Sequence, residues 1–333
     1  MKIAFIGGRG HHYLRDALAD TSVCVERPVA VACDGYDVEA SRALAVSLGE
    51  ARWFEEPARM LEEFRPDAVS VGAVFGHTGE LASMCLEQGI PTVCDKPVAA
   101  TWEQLRRLRA AAEATRAPLA TEFSFRCQKA FRAARAAVAG GRIGPVALAT
   151  AQKSYQFGVR PSWYGERVHY GGTMLWVAVH GIDAIRFVTG RRFLRVLGRQ
   201  GNVSKPAYRE LEDYCVALFD LEGGGVGMVH ADYLRPAKAA THGDDRLRVI
   251  GGNGVIEIRD ERCRLTTRNE TECDITDSVA VEPMHRELLR ALRGEATEYF
   301  GTTASLELAE IGLLARDAAD SGRELEIPRG LQA

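Results

Sequence analysis

The sequence predicts an α/β chain in two parts, a doubly wound parallel sheet followed by an α+β domain with a mostly antiparallel sheet. Three observations predict it. The chain has 333 residues, which is long for one core and suits two domains. Its first third alternates apolar strand-like runs with helical stretches. After Thr121 that rhythm stops, and strands separated by glycine turns dominate. The boundary is therefore expected between residues 121 and 122, giving domains 1–121 and 122–333.

The elements follow in order. Lys2–Ile6 is an apolar run that ends in Gly7-Gly8-Arg9-Gly10. Val29–Asp34 is a second run, and a helix from about Asp37 stops at Gly49, a C′ glycine. Ala68–Val74 is a third strand, followed by a helix from His77 to Gln88 that stops at Gly89. Pro91–Asp95 is a fourth. Thr101 and Gln104 read as a capping box, each able to satisfy a free backbone N–H. Strands apolar on both faces belong to parallel sheets covered by helices. Beyond Thr121, a helix over Gln128–Ala139 ends at Gly140-Gly141, and a strand spans Val146–Ala151. Tyr214–Asp220 and Val226–Tyr233 pair across Gly223-Gly224-Gly225, and Leu247–Ile250 pairs with Val255–Ile258. Helices from about Glu282 and Thr303 close the chain, with Gly322 after the second.

Composition excludes several classes. Hydrophobic residues are 46% and charged residues 26%, with a net charge of −3. That balance offers no electrostatic case for nucleic acid or an anionic membrane. No run approaches the roughly 18 apolar residues of a membrane span, and the first strand is too short for a signal peptide. The eight cysteines show no metal-ligand spacing and read as small buried hydrophobes, so no metal is expected and a reducing cytoplasm is.

A glycine turn between a first strand and a helix lets a diphosphate approach the backbone, where free N–H groups and the helix dipole meet it. Gly7, Gly8, Arg9, Gly10 and His11 stand where such a turn belongs. The pattern is broken, since Arg9 and His12 occupy two positions that should be glycine. Asp34 strengthens the dinucleotide reading, because it ends the second strand where the ribose-binding acid is expected. A carboxylate there bonds ribose hydroxyls and repels a 2′-phosphate, so NAD is expected over NADP. Arg42 nearby leaves the phosphorylated form possible.

Lys96 lies just past the fourth strand, at the carboxyl end where α/β sheets bind ligands. Together Asp95-Lys96-Pro97, His77, Arg126, Gly141-Arg142-Ile143-Gly144, Gly171-Gly172 with His180-Gly181-Ile182-Asp183, and Gly251-Gly252-Asn253-Gly254 form an ordered set. With them the chain resembles, over nearly its whole length, the glucose–fructose oxidoreductase/inositol dehydrogenase (Gfo/Idh/MocA) family of NAD(P)-dependent oxidoreductases. The resemblance implies a Rossmann domain followed by a large open sheet, and hydride transfer between nicotinamide and a carbon of a sugar, cyclitol or related metabolite. It places His77, Asp95 and Lys96 beside the cofactor, Lys96 at the reacting oxygen and Arg126 near the substrate. His180 becomes the acid/base. The residue types suit the chemistry: imidazole takes a hydroxyl proton near neutral pH, and an ammonium stabilises an alkoxide-like oxygen.

The chain departs from the family at Trp176, four residues before His180, where members carry an aspartate that shares the helix face. An indole only donates. Three readings follow: His180 works alone or with another partner such as Asp183 while Trp176 packs a sugar face; the reaction needs no dyad, as in imine reduction; or the protein binds NAD or a metabolite without catalysis. A redox-neutral enzyme with tightly held NAD is a further rival. The segments 153–160 and 162–170 hold five aromatics, three basic residues and a histidine. The resemblance puts this loop over the substrate, making Tyr155, Arg160, Trp163, Tyr164 and His169 candidate contacts. The same loop reads equally as an interface or lid. His230, Asp232 and Tyr233 are further candidates. An exposed sheet face suggests a homodimer or homotetramer.

Overall fold

The computed structural model describes residues 1–295, 297 and 299–328. It forms two compact units. The first gathers Met1–Glu122 with Val168–Gly171 and Glu282–Glu310; the second gathers Phe123–Arg167, Gly172–Val281 and the chain from Ile311 onward.

The first unit is built on six parallel strands: β1 (Ile3–Ile6), β2 (Val29–Ala32), β3 (Ala51–Phe54), β4 (Ala68–Val71), β5 (Thr92–Cys94) and β6 (Leu119–Thr121). Their order is β3-β2-β1-β4-β5-β6, so the order reverses between β1 and β4. This is the Rossmann arrangement, with its ligand crevice outside the carboxyl ends of the strands at that reversal. Every residue of β1, β2, β4 and β5 is buried, which is why these four strands read as continuous apolar runs. Sequence reading missed β3, an edge strand carrying Arg52, and β6, only three residues long.

Helix α1 (Val38–Ser47) is capped by Asp37, which accepts the Ala40 N–H at 2.9 Å. Helix α2 (Pro57–Phe64) starts on its proline, and α3 (Thr78–Glu87) follows a short 3₁₀ turn at Phe75–His77. Thr101 caps α4 (Trp102–Thr115) by accepting the Gln104 N–H at 3.2 Å. The expected reciprocal bond is displaced by one residue: Gln104 Oε1 accepts from Ala100 N at 2.8 Å. The larger departure lies after the glycine turn. Where a helix was expected, the chain makes only a six-residue 3₁₀ helix, Tyr13–Leu18.

The second unit holds nine strands: β7 (Val146–Tyr155), β8 (Phe193–Gly201), β9 (Tyr214–Leu221), β10 (Val226–Asp232), β11 (Gly243–Gly251), β12 (Gly254–Arg259), β13 (Arg262–Thr267), β14 (Cys273–Asp274) and β15 (Leu325–Glu326). The order is β14-β13-β12-β11-β7-β10-β9-β8-β15. Both expected hairpins form, β9–β10 and β11–β12, and among the described strands of this sheet only β7–β10 runs parallel. Its helices include α5 (Lys129–Ala139), α6 (Arg167–Tyr170, shared with the first unit), α7 (Val179–Thr189) and the later part of α9 (Thr302–Ser321). Helix α8 (Met284–Leu292) belongs to the first unit.

Alternation along the strands decides which side chains meet α7. Ala149, Ala151 and Lys153 on β7 and Val229 and Ala231 on β10 are buried on one face. Helix α7 lies close on that face: a Cβ added at Gly181 would stand 2.6 Å from Val229 Cγ1 and 3.2 Å from Ala151 Cβ. No helix among the described residues is long and apolar enough to cross a membrane.

Candidate active site

In the first unit, the turn after β1 is stitched to the ends of three other strands. Arg9 and Gly10 donate their N–H groups to Gly72 O at 2.9 and 2.8 Å. His11 N donates to Asp95 Oδ2 at 2.7 Å, and Tyr13 N to Glu122 Oε1 at 2.9 Å. Glycine is required by contact at Gly8, where a Cβ would lie 2.1 Å from Ala40 O. His12, which broke the sequence pattern, points inward. Its Nδ1 is 2.7 Å from Ser70 Oγ and its Nε2 is 3.1 Å from Gly7 O. Burial lowers its pKa to about 4 against the pull of the Gly7 carbonyl, so it is a neutral filler of the interior.

A cleft of about 630 Å³ opens between this turn and α1, lined by Gly8, Arg9, Gly10, His11, Arg15 and Ser47 among others. Arg9 Nε bonds Asp37 Oδ2 at 2.5 Å. Arg15 is exposed, and among the described residues it has no carboxylate partner.

Asp34 is 3% exposed. Its Oδ1 accepts from Tyr36 N (3.0 Å) and Asp37 N (2.8 Å), and its Oδ2 from Val74 N (2.9 Å). The carboxylate thus ties the end of β2 to the end of β4. Beside it, Tyr36 stacks on His77 with centroids 3.5 Å apart, and His77 Nε2 is 2.8 Å from His169 Nδ1. His169, expected over the substrate, belongs with Val168–Gly171 in the first unit. Burial, helped by the His169 charge, keeps the His77 imidazole below its ordinary value despite Glu80.

At the end of β5, Asp95 and Lys96 are each 2% exposed. Asp95 Oδ1 accepts from Lys96 N at 2.8 Å, while its Oδ2 faces His11 Nδ1 at 3.0 Å. Burial would raise this carboxyl, but Lys96 and His11 outweigh it and hold it below the usual range. Glu122, at the end of β6, was not singled out from sequence. It is 1% exposed, and burial together with the Asp95 charge pushes its carboxyl well up. No sequence signal marks it, because its role depends on three strand ends meeting.

In the second unit, His180 is 5% exposed, in the first turn of α7. The preceding residues Met174–Ala178, with buried Trp176 among them, form a π-helical turn, a distortion frequent at functional sites. Arg126 and Asp183, expected at the substrate and in catalysis, hold each other. Arg126 Nε lies 2.9 and 3.1 Å from the two Asp183 oxygens, and a second guanidinium nitrogen also bonds Oδ1. Phe125 lies 5.6 Å from the His180 ring, centroid to centroid. Lys153 Nζ sits 4.6 Å from that phenyl ring and bonds Asp245 Oδ2 at 2.6 Å. Sequence reading saw Lys153 only as part of a basic segment; its inward face follows from the register of β7.

The loop after β7 gathers an aromatic cluster. Trp163 and Tyr164 are 4.6 Å apart, Tyr155 and Tyr233 6.2 Å, and Arg160 lies over Tyr164 and Tyr233. Tyr233 is buried, whereas His230 and Asp232 occupy the opposite face of β10. His230 there lines a separate cleft of about 510 Å³ with Gln152 and Arg246. Among the described residues no group of three His, Cys, Asp or Glu side chains could hold a metal ion.

Residues 2–123 match a model described as an oxidoreductase family with an NAD-binding Rossmann fold, and residues 131–257 match the Gfo/Idh/MocA C-terminal domain. The chain belongs to the Gfo/Idh/MocA family. A solved Thermotoga maritima structure is 31% identical, with a TM-score of 0.91 over 98% of this chain and 100% of that one. A myo-inositol dehydrogenase of Streptomyces leeuwenhoekii is 28% identical over 76% of this chain and 73% of its own length. The D-glucoside 3-dehydrogenase of Escherichia coli is 28% identical, and the match spans 58% of this chain and 59% of that enzyme.

The family cofactor is NAD, and the cleft beside the glycine turn suits its diphosphate in one respect and not another. The guanidinium groups of Arg9 and Arg15 suit two negative charges. Four of the turn's N–H groups, those of Arg9, Gly10, His11 and Tyr13, are already spent within the protein. The groups that line the cleft include the Arg9 and Arg15 side chains.

Proposed function

We propose that the protein is an NAD(H)-dependent oxidoreductase acting on a hydroxyl or carbonyl carbon of a sugar, cyclitol or sugar-derived metabolite. The observation that carries this reading is Lys96, buried at the carboxyl end of β5 beside Asp95, in a domain of an NAD-binding family. Burying an ammonium is costly unless a partner offsets it, and a surface lysine would not need this setting. NAD, when bound, supplies the site that accepts or returns the hydride. Arg9, His11 and Arg15 would hold its diphosphate, Gly7, Gly8 and Gly10 would let it approach the turn, and Asp34, His77 and Asp95 would shape the surrounding wall.

In this reading Lys96 donates a hydrogen bond to the reacting oxygen and stabilises the charge that develops there. His180 takes the hydroxyl proton in oxidation and returns it in reduction. Asp183 is a counter-charge for Arg126 rather than a proton carrier, and Trp176 accepts no proton. Tyr155, Trp163 and Tyr164 offer faces for sugar C–H surfaces. We further propose a cytoplasmic homodimer or homotetramer, the open sheet face of the second unit being the surface to cover.

The test is a screen of sugars and cyclitols for NADH formation, alongside NADH binding by fluorescence. Lys96→Met and His180→Ala should each lose at least ~100-fold in kcat, the lower end for a removed acid/base group, while His180→Ala keeps NADH affinity. Full turnover in both variants would sink the assignment. Tightly retained NAD with substrate conversion but no net NADH would favour the redox-neutral rival instead.

A further inference from the structure

In the second unit the loop after β7 carries a guanidinium that the chain does not compensate. Arg160 lies over the rings of Tyr164 and Tyr233, at 5.4 and 5.7 Å from their centroids. Its Nε is buried and makes no hydrogen bond. Among the described residues no carboxylate lies within ion-pair distance of it. Buried donors are normally satisfied, and one that is not invites a ligand or water.

The nearby carboxylates are committed elsewhere. Arg235 and Arg246 share Asp244 at 3.2 and 2.7 Å, and Lys153 holds Asp245 at 2.6 Å. His242, stacked on Tyr155 with centroids 5.0 Å apart, senses the local field. Burial and the charges of Arg160 and Lys153 keep its imidazole below the ordinary value, against the pull of Asp245. The balance around Arg160 is therefore positive. Asp245 adds a complementary feature: its Oδ1 is buried and accepts no hydrogen bond. An open cationic donor, an open acceptor and aromatic faces together match a polyhydroxylated carboxylic acid. The carboxylate would meet the guanidinium, a hydroxyl would meet Asp245, and C–H faces would lie on the rings. Lys153 and Phe125 connect this region to His180 within the unit, since Lys153 Nζ is 4.6 Å from the phenyl ring and 5.0 Å from that of Tyr155.

We propose that the substrate is a sugar acid whose carboxylate is bound by Arg160. The proposal rests on the sugar-oxidoreductase reading and narrows it. It is tested by calorimetric titration of the NADH-loaded protein with D-glucuronate and D-gluconate, against D-glucose, myo-inositol and D-glucose 6-phosphate. The acids should bind about 10- to 100-fold more tightly than the neutral compounds, as a charge-assisted bond requires. Arg160→Gln should erase that preference with NADH affinity intact, and Arg160→Lys should restore part of it. Equal binding of acids and neutral sugars by the wild-type protein, a measurement independent of any variant's folding, overturns the proposal. So does an unchanged preference in Arg160→Gln, or tighter binding of the phosphate than of either acid. Oxidation of neutral sugars without acid preference sinks this proposal and leaves the broader reading standing. No binding of any of these compounds by protein that binds NADH sinks both.

Discussion

Asp183→Asn separates a structural role from a catalytic one. The Arg126 and Asp183 side chains are 9% and 1% exposed. They are joined by bonds of 2.9 and 3.1 Å from Nε and a further bond from the second nitrogen. Removing the carboxylate charge strands a buried guanidinium, and breaking such a pair costs about 3–5 kcal/mol. For a unit of between 150 and 250 residues each kcal/mol moves Tm by about 2–4 °C, so a drop on the order of 10 °C is expected. Calorimetry measures it, and Arg126→Met with Asp183→Leu should recover much of the loss, because no charge is then left unpaired. Replacing both partners by apolar groups of similar volume is often near neutral. An Asp183→Asn variant with unchanged Tm and a kcat reduced ~100-fold would refute the reasoning. It would return Asp183 to the proton pathway beside His180.

Three further outcomes follow from the first unit. His12 titrates near 4 when folded and near 6.5 when unfolded, so the unfolded chain binds more protons between those values and stability falls as pH drops through that window. The full effect is about 3 kcal/mol, and His12→Asn should flatten this acid limb in urea titrations at pH 4.5 and 7. Glu122 has the opposite sign: its raised pKa makes stability fall as pH rises above the ordinary carboxylate range. Glu122→Gln keeps an acceptor for Tyr13 N and should hold or raise Tm at pH 8; a large loss there would show that the ionised carboxylate is needed. Arg15→Ala should weaken NADH binding about 10-fold, the scale of a charge-assisted bond, and reduce its salt dependence in fluorescence titrations. Unchanged affinity would return the diphosphate to backbone donors.

Much of the fold was legible because its central strands are buried on both faces. β1, β2, β4 and β5 have no polar face to interrupt their apolar runs. In the first unit the strands that escaped notice are those lacking that signal: β3 alternates at a sheet edge around Arg52, and β6 has three residues; in the second unit β8, β13, β14 and β15 also went unread. Helix α2 was missed with β3, its neighbour in the chain. Buried polar residues were legible wherever one short segment carried them, as in Asp95-Lys96-Pro97 and the His180 turn. Pairings that join distant segments were not. Nothing local in Arg126 or Asp183 shows that each consumes the other, and nothing near Lys153 shows that it faces α7. Asp34 was read as the ribose-binding acid because its offset from the turn is right, and its backbone partners were not legible. The three backbone N–H groups that occupy it come from Tyr36, Asp37 and Val74, and the last belongs to another crossover of the sheet.

The broken glycine pattern follows one physical logic rather than being decay. His12 fills the space that a third glycine would leave, and its partner is Gly72, where a Cβ would stand 2.6 Å from His12 Nε2. Gly72 brings its carbonyl under the turn, where it takes the Arg9 and Gly10 N–H groups. Asp95 and Glu122 then take the next donors. Glu122, an acid of the chain's own, thus occupies the start of the short 3₁₀ helix, where an ordinary Rossmann helix would offer its dipole to a diphosphate. With those donors spent, anion recognition in the proposed function passes to side-chain charge, and Arg9 and Arg15 line the cleft. Exposed guanidinium groups are screened by salt far more than buried N–H groups. The ionic-strength dependence of NADH affinity is therefore where a filled turn differs measurably from an open one.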